Sequence, residues 1–232
     1  MDNITFNGID FSDFNTFWDG SKLFASPQKD MTFYEIPGRN GDLAIDNDRY
    51  ANVEVSVKCF IRERFIDNYN ALINFLLTQK GYKRFENDIE PEIYRMAAFV
   101  SSVVPETGPY NEFGTFELKF NVKPQRWLKS GELPIAVNSS TVLINPTSLI
   151  AKPLIMVTGT GSIDINGNTL TLANNTSVTC IDCDTENAYE GTINRNQDLT
   201  LTNNSFPVLE TGQNTITVSG CTIELIPRWW KL

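Results

Sequence analysis

The chain has 232 residues, a net charge of −9, 41% hydrophobic and 20% charged residues, and not one histidine. It is long enough for a real core, in one large domain or two small ones. The missing histidine excludes Ser-His-Asp and Cys-His catalysis, His-ligated zinc and a histidine pH switch.

The N-terminal stretch Met1-Asp2-Asn3-Ile4-Thr5-Phe6 has neither a basic start nor an apolar run, so no secretory leader is expected there. No segment reaches transmembrane length, and synthesis in the cytoplasm is expected. The 19 Lys and Arg residues are scattered over an acidic chain, which argues against specific nucleic-acid binding.

Pro37-Gly38-Arg39-Asn40-Gly41 lies between two extended segments, and Asn40-Gly41 favours a tight turn because both residue types tolerate positive φ. Val53, Val55, Val57 and Cys59 alternate with polar residues, as do Phe116, Leu118, Phe120 and Val122, so both runs are predicted half-buried strands. A helix is predicted from Phe65 to Lys80, with Phe65, Tyr69, Leu72 and Leu76 on one stripe, widened by Ile66, Ile73 and Leu77. Gly81 suits its C′ position. Met96 to Val104 reads as a strand buried on both faces. One apolar-faced helix beside alternating strands covers the sheet.

Pro124, Pro134, Pro146 and Pro153 punctuate a stretch expected to be irregular. Beyond it, Ser162–Ile165, Asn166-Gly167-Asn168 and Thr169–Leu172 form a predicted hairpin. Further strands are expected at Val178–Ile181, Leu199–Leu201, Thr215–Val218 and Thr222–Ile226, a spacing that argues for an antiparallel sandwich.

Candidate chemistry is thin. Cys180 and Cys183 have CxxC spacing but sit in a Thr-rich β region, not at a helix N-terminus where a thiolate is stabilised. Cys59 and Cys221 supply no second CxxC pair for zinc. Glu90 with Glu92, and Asp182 with Asp184, are carboxylate pairs without a recognisable cleft. Asp164, Asn166 and Asn168 alternate oxygen ligands but lack an EF-hand's twelfth-position carboxylate. No catalytic, cofactor or metal residue is assigned, and no enzyme activity is expected. Trp18, Trp127, Trp229 and Trp230 suit packing better than sugar stacking. Trp229 and Trp230 must point to opposite faces of an extended chain, one inward and one outward, as packing anchors.

Three blocks together resemble the distal tail protein of long-tailed bacteriophages. They are the Pro37-Gly38-Arg39-Asn40-Gly41-Asp42-Leu43 motif, the helix ending at Gly81 with the strands to Val122, and a third block towards the C-terminus. That third block runs from Lys152-Pro153 through Ile181-Asp182, Tyr189, Phe206-Pro207 and Gly212-Gln213-Asn214 to Pro227-Arg228-Trp229.

The resemblance implies a mainly β (α+β) fold. A ring-forming N-terminal domain (1–130), a β-sheet with one covering helix, would be followed by a connecting segment (131–152) and a galectin-like antiparallel β-sandwich (153–232). The last strand, near 222–232, is expected beside the N-terminal domain. The implied role is a structural virion protein. It would form a homohexameric ring at the distal end of a non-contractile tail, joining the tail tube protein to the tail-associated or tail-fibre protein and to receptor-binding proteins. Pro37, Gly38, Arg39, Asn40 and Gly41 would then form an assembly contact, with Arg39 pairing a carboxylate across it. The alternative is a carbohydrate-binding adhesin module that touches the host surface.

Overall fold

The computed structural model describes residues 3–20, 26–175 and 177–232. The chain divides into two compact units, Met1–Arg126 with Leu232, and Trp127–Lys231. The architecture is mainly β with one α-helix.

The first unit is built on a sheet whose strands run in the order Ile9–Asp10, Ile4–Phe6, Lys83–Asn87, Ile93–Phe99, Gly114–Leu128, Val53–Ile61, Thr16–Trp18. Glu106–Thr107 adds a short antiparallel pairing to Gly114 and Thr115. Val55, Val57, Cys59 and Ile61, with Phe116, Leu118, Phe120 and Val122, are all buried on one face, as their alternation predicts. Helix α1 (Phe65–Thr78) lays Phe65, Leu72 and Leu76 on that face. Each such side chain contributes about 1.5–3 kcal/mol by leaving water.

The helix departs from its predicted outline. It stops at Thr78, and extended Gln79 (ψ 129°) ends it two residues before Gly81 (φ 69°). Ile66 and Leu77 are exposed, because the apolar stripe is narrower than the full set of apolar residues. Arg64 gives no side-chain cap at the N-terminus. The Asn111 side-chain oxygen accepts from the Ile66 N–H instead (2.6 Å), so a loop distant in sequence satisfies a donor that the helix leaves free.

Met96 to Val104 is not a doubly buried strand. The strand is Ile93–Phe99 with alternating burial, while Val100 and Val104 are 60% and 85% exposed. A continuous apolar run does not by itself show which of its residues find a neighbour.

The second unit is two antiparallel sheets around one core. The first has the order Ile135–Val137, Thr222–Ile226, Leu154–Thr158, Val178–Asp182, Asn187–Glu190, Ile193–Asn194. The second has the order Ser140–Asn145, Gly212–Ser219, Gly161–Ile165, Asn168–Leu172, Leu199–Leu201. Ile155, Val157, Ile181, Ile223 and Leu225 of one meet Ile163, Ile165, Leu170, Leu172 and Ile216 of the other in a single cluster. The predicted hairpin turns at Asn166 (φ 55°) and Gly167 (φ 84°), pairing Ile163 with Leu170.

One expectation is corrected here, and a second is narrowed. Residues 131–152 are not an irregular connector, since Ile135–Val137 and Ser140–Asn145 are edge strands of the two sheets. Pro134 and Pro146 fall just outside those strands, where a missing N–H costs no ladder bond. Thr222–Ile226 is an interior strand of the sandwich, between Ile135–Val137 and Leu154–Thr158. Further on, the short strand Trp230–Lys231 pairs with Gly114–Leu128, and Leu232, which groups with the first unit, accepts at its carbonyl from Arg126 (3.4 Å).

Candidate assembly surface

Strands Lys29–Tyr34 and Leu43–Tyr50 of the first unit pair only with each other among the described residues. Directly opposed residues share a face. Tyr34 opposes Leu43 and Thr32 opposes Ile45 on one face; Phe33 opposes Ala44 and Met31 opposes Asp46 on the other. Both faces are therefore apolar, and neither is covered. Phe33 is 60% exposed, Tyr34 54%, Leu43 46% and Ile45 44%. The polar residues gather at the base, where Lys29 pairs Asp46, Arg49 pairs Asp30 (2.8 Å), and Asn47 donates to Asp30 and Thr32 (3.0 Å each).

The tip carries Pro37, Gly38, Arg39, Asn40 and Gly41, all exposed. Its turn differs from the expected one. The Arg39 N–H donates to the Ile36 carbonyl (3.1 Å), with Pro37 and Gly38 between them and Gly38 at φ 81°. That is the pattern of a type II turn, which wants Pro second and Gly third. Asn40 keeps a negative φ, and Gly41 (φ 82°) supplies a second reversal. The Arg39 side chain makes no ion pair among the described residues.

The tryptophan pair lies in the second unit. Trp229 is 4% exposed and joins the sandwich core, while Trp230 is half-buried, donates Nε1–H to the Ile150 carbonyl (2.9 Å) and lies 6.3 Å from the Trp127 ring. Gly131 makes this docking possible, since a Cβ there would fall 2.3 Å from the Trp229 nitrogen. Leu128 N–H donates to the Trp229 carbonyl (2.9 Å), and Arg228 N–H to the Gly131 carbonyl (2.8 Å).

One carboxylate of each candidate catalytic pair is engaged structurally. Glu90 accepts from Arg95 (2.7 Å) and pairs Arg126. Asp182 takes a two-point contact from Arg228 (2.7 and 3.0 Å). Burial alone would raise the Asp182 pKa, but the Arg228 hydrogen bond and charge, with the Asp184 and Thr185 N–H groups, hold it below the ordinary value. Asp164 accepts from Gly167 N–H (3.0 Å) and from the Thr169 hydroxyl (2.7 Å), which ties it to the turn. Cys183 is buried and its thiol is pushed up to about 12, the reverse of an activated thiolate. Among the described residues no three His, Cys, Asp or Glu side chains cluster as metal ligands, and no helix is long and apolar enough to cross a membrane.

No protein-family model and no curated protein matches the chain. Solved structures do. The SPP1 Dit protein, described as a paradigm of the hub adsorption apparatus in Gram-positive infecting phages, aligns over 100% of both chains with a TM-score of 0.76 at 14% identity. The phage P2 baseplate in its activated conformation, with Ca or with Sr, aligns over 97% of this chain and 96% of its own at TM-score 0.51 and 12% identity. The fold is that of a phage Dit protein. The Dit fold here carries one segment that periodicity did not single out, the two-faced apolar ribbon. Its signal was present in Phe33-Tyr34 and Leu43-Ala44-Ile45, where apolar residues occupy both parities of a strand.

Proposed function

We propose that this chain is a structural component of a phage tail tip. It assembles as a homohexameric ring at the distal end of a long non-contractile tail. One ring face meets the tail tube protein; the other holds the tail-associated or tail-fibre protein, with receptor-binding proteins attached to the hub. The first unit builds the ring through the 29–50 ribbon, and the galectin-like sandwich faces outward. Recognition of copies of itself, and not bond chemistry, is the activity.

The likeness to SPP1 Dit across both units, in one chain order, carries this reading. The ribbon supports it physically. A lone two-stranded hairpin is marginal in water, and exposed apolar surface on both its faces marks a contact site. Closed cyclic assembly covers such a segment with a neighbour's surface.

The test is mass in solution and the tail phenotype. A species near six times 26.1 kDa is expected on sedimentation. Phage made without the chain should give tails that lack a finished distal end. Complete, adsorption-competent tail tips formed without it would overturn the proposal.

A further inference from the structure

The sequence holds three Asn-Gly pairs, Asn7-Gly8, Asn40-Gly41 and Asn166-Gly167. Asparagine before glycine carries a latent reaction of its own. The backbone nitrogen of the second residue can attack the side-chain carbonyl carbon of the first, and glycine, without a Cβ, leaves that nitrogen unshielded. The attack needs the side chain to rotate and the backbone to swing, so a turn held in place suppresses it. The three pairs are alike in chemistry and differ in how they are held.

Two of them are locked. Asn166 (φ 55°) and Gly167 (φ 84°) close a two-residue turn flanked directly by the paired Ile165 and Asn168. The Asn166 side chain donates Nδ2–H to Asn214 (2.7 Å) and accepts from the Thr215 N–H (2.9 Å), while the Gly167 N–H, the would-be nucleophile, donates to Asp164 (3.0 Å). Both reacting groups are therefore engaged. Asn7 (φ 50°) and Gly8 (φ 78°) close the same kind of turn beside the paired Phe6 and Ile9. There the Asn7 N–H donates to the Arg84 carbonyl (2.8 Å) and the side-chain Nδ2–H to Gln79 (2.9 Å).

The third pair is not locked. Asn40-Gly41 lies beyond the last paired residues of the ribbon, Tyr34 and Leu43. Asn40 is exposed, and its side chain makes no hydrogen bond among the described residues. An added Cβ at Gly41 would meet nothing within 4 Å, so the nitrogen has open space for the swing. Arg39, the preceding residue, supplies a cation near the negative charge that develops on the attacking nitrogen and on the carbonyl oxygen.

We propose that Asn40 is a self-modification site, deamidating to aspartate and isoaspartate in the folded chain while Asn7 and Asn166 stay intact. The Gly41 nitrogen gives its proton to water and bonds to the Asn40 Cγ. The Cγ–Nδ2 bond breaks, and that nitrogen takes up a proton and leaves as ammonia. Water then opens the resulting succinimide at either of its carbonyls. The product carries a new carboxylate next to Arg39, on the segment that the proposed ring uses, so a chain left unassembled alters the charge of its own contact. The chemistry does not rest on that ring; only this consequence does.

The test holds the full-length chain in mildly alkaline buffer and maps its peptides by mass spectrometry over time. The Asn40 peptide should gain about 1 Da, as the amide gives way to a carboxyl group, and resolve into two isomers. Asn7 and Asn166 should react more slowly by about tenfold or more, because their hydrogen bonds must break first. In urea, where the turns are lost, the three sites should react at comparable rates. Equal rates at the three sites in the folded chain overturn the inference. So does an Asn40 lead that is just as large in urea, since the fold would then protect nothing. Asn40→Asp, which mimics one product, should associate more weakly than Asn40→Ser, which has no amide to lose. Equal association of those two variants removes the consequence for assembly and leaves the modification standing. A chain that forms no multimer and still modifies Asn40 removes the ring alone.

Discussion

Two hairpins in this chain look alike as sequence and differ in what covers them. In the 161–172 hairpin, Ile163, Ile165, Leu170 and Leu172 share one face and are at most 2% exposed, and Asp164, Thr169 and Thr171 share the other. In the 29–50 hairpin, large apolar side chains stand on both faces and stay exposed. The first is saturated by its own chain. The second is left unsaturated by the described residues of its own chain, and the proposed ring is what would cover it. Apolar content in a strand therefore reports that something must cover it, and the distribution over faces reports whether the cover is intramolecular.

The largest effect should come from truncating the same kind of residue in each hairpin. Leu170→Ala opens a cavity at a fully buried site and is expected to destabilise the sandwich by about 2–5 kcal/mol, read from a urea midpoint. Phe33→Ala should leave the monomer within about 0.5 kcal/mol of wild type and abolish multimer formation on sedimentation. A large midpoint shift for Phe33→Ala would show that the ribbon folds against its own unit, and the contrast would collapse.

The charge pairs sharpen the same comparison at a smaller scale. Arg228→Ala strands a largely buried Asp182 carboxylate and is expected to cost about 1–3 kcal/mol at neutral pH. Arg49→Ala removes a partner of Asp30 at the exposed ribbon base and should leave the midpoint unmoved. The Asp182 pKa is depressed in the folded state. Its stabilisation is thus fully present above the ordinary carboxylate value and is lost as pH falls through the lowered one. The gap between wild type and Arg228→Ala should narrow below about pH 4, near the ordinary carboxylate pKa. A gap that is constant from pH 7 to pH 3 would remove Asp182 from the explanation.

Much of the fold was legible because it obeys local rules. The alternation at Val53–Cys59 and Phe116–Val122, the α1 stripe and the Asn166-Gly167 turn each follow from sterics and burial within a few residues. What was misread depends on distant neighbours. Residues 131–152 look like a connector because prolines dominate the pattern, yet the intervening Ile135–Val137 and Ser140–Asn145 pair with strands some 70–90 positions later. Val100 to Val104 reads as core because apolar residues do not announce exposure. At the candidate surface, Pro37 to Gly41 could be picked out as a turn, but its type could not, since Pro37-Gly38 and Asn40-Gly41 compete for the reversal.

The smallest expected effect is also the cleanest comparison of the two hairpins. Gly38 and Gly167 both sit at positive φ, 81° and 84°, and neither would bring an added Cβ within 4 Å of another atom. Alanine at either site meets the same left-handed strain, about 1–2 kcal/mol, with no steric clash to confuse it. At Gly167 the turn is coupled to the core through Ile165 and Leu170, so Gly167→Ala should lower the sandwich midpoint by about that amount. At Gly38 the strain falls on a ribbon with no core behind it, and the chain can relieve it by loosening the tip. Gly38→Ala should therefore leave the unfolding midpoint unchanged and weaken association, because a loosened tip must be ordered again on binding. Equal midpoint shifts for both variants would mean that the ribbon unfolds together with its unit, and that its exposed face is a property of a rigid arm.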